Sequence, residues 1–285
     1  MKTQPLVKIA AGAALTLSVI VLAAMSGTPQ RVEAQDQDND DMSRVHIGFK
    51  IAPVPLNLEG RDPNLVGLGS YLVNAVGDCN GCHSSGAPPI FIYPFKTGRN
   101  PFFAQPEKID PTVYLNGGAN FGSVGTPTGP SGYGGPNIIS RNLTPDRNGL
   151  PEGGHTLSQF KQIFKAGTDF DHIHPTCTAA QLAAIMGGAT PNCIPTGNIP
   201  LGPGVNFNNI PDGDLLQVMP WPTFSQMSDR DIEAIYEYLS AIPCIDNTTS
   251  TPPAGAPNEL RNDCGNNDNV LDSEIQHSTR SLRRR

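Results

Sequence analysis

Cys79-Asn80-Gly81-Cys82-His83 is the stretch of this 285-residue chain whose residue types and spacing define a chemistry most narrowly. Two thiols separated by two residues and followed at once by an imidazole form the C-x-x-C-H pattern of covalent haem attachment. The thiols add across two vinyl groups and fix one face of the ring against the chain. The adjacent imidazole then reaches the iron as the proximal ligand. A zinc site would need a second ligand pair at metal spacing, and a thioredoxin-like redox pair would need a βαβ setting. The flanks offer neither, and their helical character also argues against a plain disulfide or a chance match.

A buried electron-transfer haem carries a second axial ligand, commonly Met or a second His. Met1 and Met25 lie in an apolar leader, and Met42 lies in a charged segment. Met219 is followed by Pro220, Trp221 and Pro222, and the two prolines stiffen the backbone that would present its thioether. Met227 and Met186 read as core residues. His172 and His174 are the alternative imidazoles, and an open iron position is the remaining choice. On ligand type Met219 is preferred.

These groups need elements to hold them. Upstream of the cysteines, Leu65, Leu68, Leu72 and Val76 recur at helical spacing and predict a helix over 62–77. Gly67 and Gly69 each weaken that helix by about 1 kcal/mol relative to Ala, a cost explained if another helix must approach closely. The partner is a helix over 228–241, with Ser228 as cap, Asp229 and Asp231 in its first turn, an apolar face of Ile232, Ile235, Tyr236 and Leu239, and Pro243 as stop. Thr156 and Gln159 form a capping box for a helix over 156–166 that ends at Gly167. Its Phe160, Ile163 and Phe164 read as core.

The other four cysteines, Cys177, Cys193, Cys244 and Cys264, have no haem spacing. In an oxidising compartment they should pair, and three connectivities are open. Cys177–Cys193 with Cys244–Cys264 is favoured, because each closes a short local loop that staples an insertion.

The ends of the chain bear on compartment. Lys2 and Lys8 precede an apolar run from Ile9 to Met25, and Val32-Glu33-Ala34 offers a cleavage site, so residues 1–34 read as a secretory signal. An uncleaved anchor is the alternative; both place the rest outside the cytoplasm, in the periplasm or otherwise exported. The whole chain carries a net charge of −7, and losing Lys2, Lys8, Arg31 and Glu33 leaves it more acidic still. Nucleic acid is therefore excluded as a partner. An acidic body suits docking to a basic face by steering, although many exported proteins are acidic simply for solubility. Residues 35–60 read as a flexible segment. Residues 245–285 read as a tail tethered by a disulfide, mostly disordered and basic at its end through Arg280, Arg283, Arg284 and Arg285. Membrane contact is expected only through an uncleaved anchor or that tail.

Three blocks carry a family resemblance. One is Gly69-Ser70-Tyr71-Leu72 leading into Cys79–His83. The second is Ser140-Arg141-Asn142-Leu143-Thr144-Pro145-Asp146 with Gly149 and the helix from Thr156. The third is Met219 to Pro222 through Met227-Ser228-Asp229 to Leu239. In these the chain resembles the class I monohaem cytochromes c, especially the cytochrome domains that accompany periplasmic dehydrogenases. The resemblance implies an all-α, cytochrome c-like haem domain over 61–244 with long irregular loop insertions. It implies one covalent haem c held by Cys79 and Cys82, iron ligated by His83 and Met219, and Asn142, Thr144 and Trp221 at the cofactor. The chain departs from the simple pattern by insertions at about 97–140, including a Gly/Pro-rich run from Asn116 to Pro136, and at about 168–214.

The expected function is single-electron transfer between redox proteins, a dehydrogenase as donor and an oxidase or another cytochrome as acceptor, at a potential raised by His/Met ligation. With both axial positions filled, no catalytic residue is expected. The alternatives are a dedicated cytochrome subunit of a dehydrogenase complex, and a peroxidase- or reductase-like enzyme with an open iron, for which His155, His172 and His174 are the spare histidines.

Overall fold

The computed structural model describes residues 30–84, 94–123, 133–171, 175–195, 213–246, 262, 264 and 265. The leader before residue 30, His172 and His174, and nearly all of the tail beyond 246 lie outside the described residues. The chain divides into a unit through Arg44 and a second from Val45 onward, which holds Cys79, Cys82 and His83. Helix α1 (Gln30–Ile51) runs through the boundary, so residues 35–60, read from sequence as flexible, are helical as far as Ile51. No helix among the described residues is long and apolar enough to cross a membrane.

The second unit is built on helices. The one predicted over 62–77 forms in two pieces: α2 (Pro63–Tyr71), capped by Asp62 with Pro63 in its first turn, and a π-helical turn over Leu72–Val76. A one-turn helix, α3 (Cys79–Cys82), follows after Asp78 in the left-handed region. The π turn corrects the expected apolar stripe. Leu72 is buried, but Val76, one turn on by α-helical count, is 62% exposed, because a wider turn shifts the register of every later residue. Asn74 has a part in this: its side-chain amide donates to the Ser70 carbonyl at 2.9 Å, a side-chain substitute of the kind that competes with the helical ladder.

Helix α8 (Asp229–Ala241) is capped by Ser228, whose Oγ accepts from the Asp231 amide at 3.1 Å. It crosses α2 at Gly69, where a Cβ would lie 1.9 Å from the Ala234 carbonyl oxygen. Gly67 meets the other neighbour: a Cβ there would lie 2.7 Å from Val45, and one at Gly48 would lie 1.9 Å from the Gly67 oxygen. Each glycine of α2 thus admits a different helix. A closed polar ring ties the crossing: Tyr114 Oη donates to Asn74 Oδ1 at 2.6 Å, Asn74 Nδ2 donates to Tyr238 Oη at 3.2 Å, and the two hydroxyls are 2.8 Å apart.

Helix α5 (Leu157–Ala166) has the Thr156/Gln159 capping box and ends at Gly167 with φ of 69°. Its Phe160, Ile163 and Phe164 join Leu68, Ile232, Ile235 and Leu239 in one core. Ahead of it lies α4 (Pro151–Gly154), a turn kinked at Glu152 and Gly153. The insertions supply the rest. Strands β1 (Asn120–Ser123) and β2 (Asn137–Ile139) pair antiparallel, Asn120 with Ile139 and Ser123 with Asn137, across an irregularity. Among the described residues the regular structure is therefore chiefly helical, with one small sheet that an all-α reading did not include. Helix α6 (Ala179–Met186) lies inside the loop closed by the Cys177–Cys193 disulfide, and a second disulfide joins Cys244 to Cys264. Met186, read as core, is 38% exposed.

A methyl group at position 69 has no room without separating α2 from α8. We expect Gly69→Ala to destabilise the fold by about 2–3 kcal/mol or more in urea or thermal unfolding; an unchanged midpoint would mean that the crossing is not a backbone contact.

Candidate haem-attachment site

Cys79 and Cys82 are the free cysteines of the described residues. In α3 they stand three residues apart, the spacing that puts two side chains on one helical face. The turn is closed by the His83 amide donating to the Cys79 carbonyl at 2.8 Å and the Gly81 amide donating to the Asp78 carbonyl at 2.9 Å. Within it, buried Asn80 accepts the Leu115 amide on Oδ1 at 2.9 Å. Burial pushes the Cys79 thiol up to about 12, with Asp78 and Cys82 adding to it. Burial and Asp78 also raise Cys82. Burial thus favours the neutral form of both thiols, whereas a nucleophilic redox cysteine has its thiol lowered.

His83 is fixed by its neighbours. Its Nδ1 lies 2.9 Å from the Arg141 carbonyl oxygen. A carbonyl can only accept, so Nδ1 carries the proton and Nε2 keeps its lone pair. Burial lowers the tendency of His83 to protonate, the Arg141 carbonyl works in the opposite direction, and the Arg141 charge lowers it again; the net is the neutral form that ligates metals. The Arg141 carbonyl reaches the ring because Gly117, with φ of 69°, packs where a Cβ would come within 2.4 Å of the Arg141 carbonyl carbon, while the Gly117 amide donates to the His83 carbonyl at 2.9 Å.

Cys79, Cys82 and His83 line a cavity of about 480 Å³ with an apolar wall, a volume that accommodates a ligand of several hundred daltons. Leu72 and Val76 come from the π turn, Phe160 and Phe164 from α5, Ile235 and Leu239 from α8. Phe121, Ile138 and Ile139 come from the small sheet and Ile194 from beside the Cys177–Cys193 disulfide. Both insertions are therefore part of the wall and not only stapled loops.

Met219 lines the same cavity. The segment before it is held to the end of α5 by the Leu216 amide donating to Gly167 at 2.7 Å and the Asp169 amide donating to Asp214 at 3.0 Å. Val218 has φ of 70°, a costly conformation for a β-branched residue that persists only where the surroundings enforce it. The Met219 and Trp221 amides then donate to Gln217 and Met219 carbonyls, each at 2.8 Å, and α7 (Trp221–Phe224) begins. Met227, read as core, is half-buried and also lines the cavity, so two thioethers face it.

Three expected cofactor contacts are placed elsewhere. Asn142 Nδ2 donates to the Ile245 carbonyl at 3.0 Å, and its Oδ1 accepts the Thr144 amide at 2.9 Å. Thr144 Oγ1 in turn accepts from the Ile245 amide and from Asn262. Both side chains anchor the Cys244–Cys264 segment, while Ser140, Arg141 and Leu143 beside them line the cavity. Trp221 packs over Gly167, where a Cβ would lie 2.4 Å from its ring. None of the three is among the lining residues. His155, the one spare histidine of the rival enzyme reading that is described, is buried but also not among them. Sequence reasoning passed over Arg141 and Glu152 as site residues; Arg141 stood in a block already singled out, whereas Glu152 carried no signal.

No protein-family model matches this chain, nor does any curated protein or any solved structure.

Burial holds the Cys79 thiol in its neutral, unreactive form at pH 8. Iodoacetamide should therefore alkylate exposed Cys82 about tenfold or more faster than Cys79, read by mass spectrometry of the peptides. Equal rates would contradict the burial described for Cys79.

Proposed function

We propose that this chain is an exported monohaem c-type cytochrome that carries single electrons between redox proteins and has no catalytic residue of its own. The observation that carries the reading is one constellation: two unpaired neutral thiols on one helical turn, an imidazole whose Nδ1 is committed to a backbone carbonyl, and an apolar cavity that also presents Met219. These residues fit a covalent haem c: Cys79 and Cys82 would hold it through its vinyl groups, and His83 Nε2 and Met219 would be the ligands to its iron. Among the described residues no group of three or more His, Cys, Asp and Glu could hold a metal ion; the donors a haem iron would take here are the His83 imidazole and the Met219 thioether. When bound, the group supplies a one-electron couple.

The chain's residues orient and insulate. The Arg141 carbonyl sets the tautomer and ring angle of His83, a partnership that raises ligand basicity. Leu72, Phe160, Phe164 and Leu239 exclude water, which favours a high potential together with thioether ligation. Met219 is preferred over Met227 because its turn is fixed on both sides by backbone hydrogen bonds and by the strained Val218. Disulfides at Cys177–Cys193 and Cys244–Cys264 agree with folding outside the cytoplasm. The redox partners are a dehydrogenase as donor and an oxidase or another cytochrome as acceptor.

Absorption spectra of the exported protein, oxidised and reduced, with and without carbon monoxide, test this. Expected are a c-type spectrum, the weak sulfur-to-iron band and no carbon monoxide uptake, with the band lost in Met219→Ala and kept in Met227→Ala. Rapid carbon monoxide binding by the unaltered protein would show an open iron and the rival enzyme. A dehydrogenase that co-purifies stoichiometrically would instead make it a dedicated subunit.

A further inference from the structure

One titratable group in the cavity wall has no part in holding the haem. Glu152 is 3% exposed and belongs to the lining of the cavity. Among the described residues its Oε2 is buried without a hydrogen-bond partner. Its backbone is held in the left-handed region, φ 52° and ψ 56°, a conformation uncommon for any residue but glycine. The turn is clamped from both sides: the His155 ring Nδ1 bonds the Glu152 carbonyl, and Tyr236 Oη from α8 donates to the His155 carbonyl at 3.2 Å.

The surrounding charges do not neutralise it. Arg141 is the nearby guanidinium, and it is engaged by two other carboxylates, Asp169 on Nη2 and Asp171 on Nη1 at 2.6 Å. The charged groups that act on Glu152 are Arg141 and His155, which favour its ionised form, and Asp171 and Asp169, which oppose it. Asp146 flanks the turn at Gly154, and Tyr236 is the titratable group facing it from α8. Burial outweighs all of these and raises the Glu152 carboxyl above its ordinary range. Asp171 is 35% exposed and lies 3.8 Å from His155 Nε2, which connects the cluster to solvent.

A buried carboxyl in a low-dielectric wall responds strongly to any change of charge inside the cavity. We propose that Glu152 is a proton-binding site coupled to electron transfer: it takes up one proton from solvent when the haem iron is reduced, and releases it on oxidation. This rests on the electron-carrier reading. An external one-electron donor is oxidised, ferric iron becomes ferrous, and the only bond formed is O–H on the Glu152 carboxylate. Ferric iron carries one more positive charge and favours the carboxylate; its loss on reduction favours the acid. Between the two proton affinities the midpoint potential must therefore fall as pH rises, and it must level off on either side.

The test is the midpoint potential of the haem-loaded protein from about pH 5 to about pH 9, a span reaching above the ordinary carboxyl range. Expected is a descending limb of up to about 59 mV per tenfold change in proton activity, the one-electron limit. In Glu152→Gln that limb should vanish and the potential stay near its low-pH value, whereas His155→Gln should keep it. A flat unaltered protein, or an unchanged limb in Glu152→Gln, overturns the proposal. Should that variant fail to fold, reduced-minus-oxidised infrared spectra of the unaltered protein carrying isotope-labelled glutamate decide. A labelled carboxylic-acid band gained on reduction supports the proposal, and its absence overturns it. A protein without a c-type spectrum fails earlier, and overturns the electron-carrier reading itself.

Discussion

The contact at Gly69 sets the geometry of everything downstream of it. There α2 and α8 approach so closely that the Ala234 carbonyl occupies the space of a missing side chain. Backbone against backbone leaves no slack, so the direction of each helix is fixed by the other. From α2 the chain passes through the π turn into Cys79, Cys82 and His83. Ahead of α8 lie Ser228, Met227 and the strained turn that presents Met219. The two halves of the candidate site, far apart in sequence, are thus brought to one cavity by a helix crossing that contains neither the cysteines, His83 nor Met219. The Tyr114–Asn74–Tyr238 ring makes the same crossing specific in rotation, since a buried polar ring tolerates little misalignment before a hydroxyl loses its partner.

Arg141 joins two systems that would otherwise be independent. Its carbonyl holds the His83 ring, and its guanidinium holds Asp169 and Asp171. The carbonyl belongs to the segment that continues β2, and the acids belong to the segment after α5. A displacement of either insertion would therefore be felt at the imidazole. The reverse holds too: a change of charge in the cavity acts on Arg141's carboxylates and on Glu152 beside them. A group of charges with one carboxyl oxygen, Glu152 Oε2, buried without a hydrogen-bond partner among the described residues is expensive to fold.

The insertions therefore change the character of the cavity. Phe121, Ile138, Ile139 and Ile194 extend the apolar wall, and the Cys177–Cys193 and Cys244–Cys264 bridges hold the segments that carry or support it. Asn142 and Thr144 work behind the wall, tying Leu143 in place through Ile245 and Asn262.

By itself the sequence determined the local features. The attachment motif, the Ser228 cap, the Thr156/Gln159 box, the Gly167 stop and the close-approach glycines depend on neighbours within a few residues, and local order is enough to read them. The favoured disulfides were legible for the same reason, each closing a short loop. Only the tertiary structure decided what depends on partners distant in the chain. It chose the carbonyl that holds His83, moved Val76 out of the helical core stripe to the cavity lining by a π turn, left Asn142, Thr144 and Trp221 out of that lining, and buried Glu152 Oε2 without a hydrogen-bond partner among the described residues. Nothing in Pro151-Glu152-Gly153-Gly154 distinguishes a solvated loop glutamate from a buried one, because burial belongs to the packed assembly of α4, α5, α8 and both insertions and not to the residue.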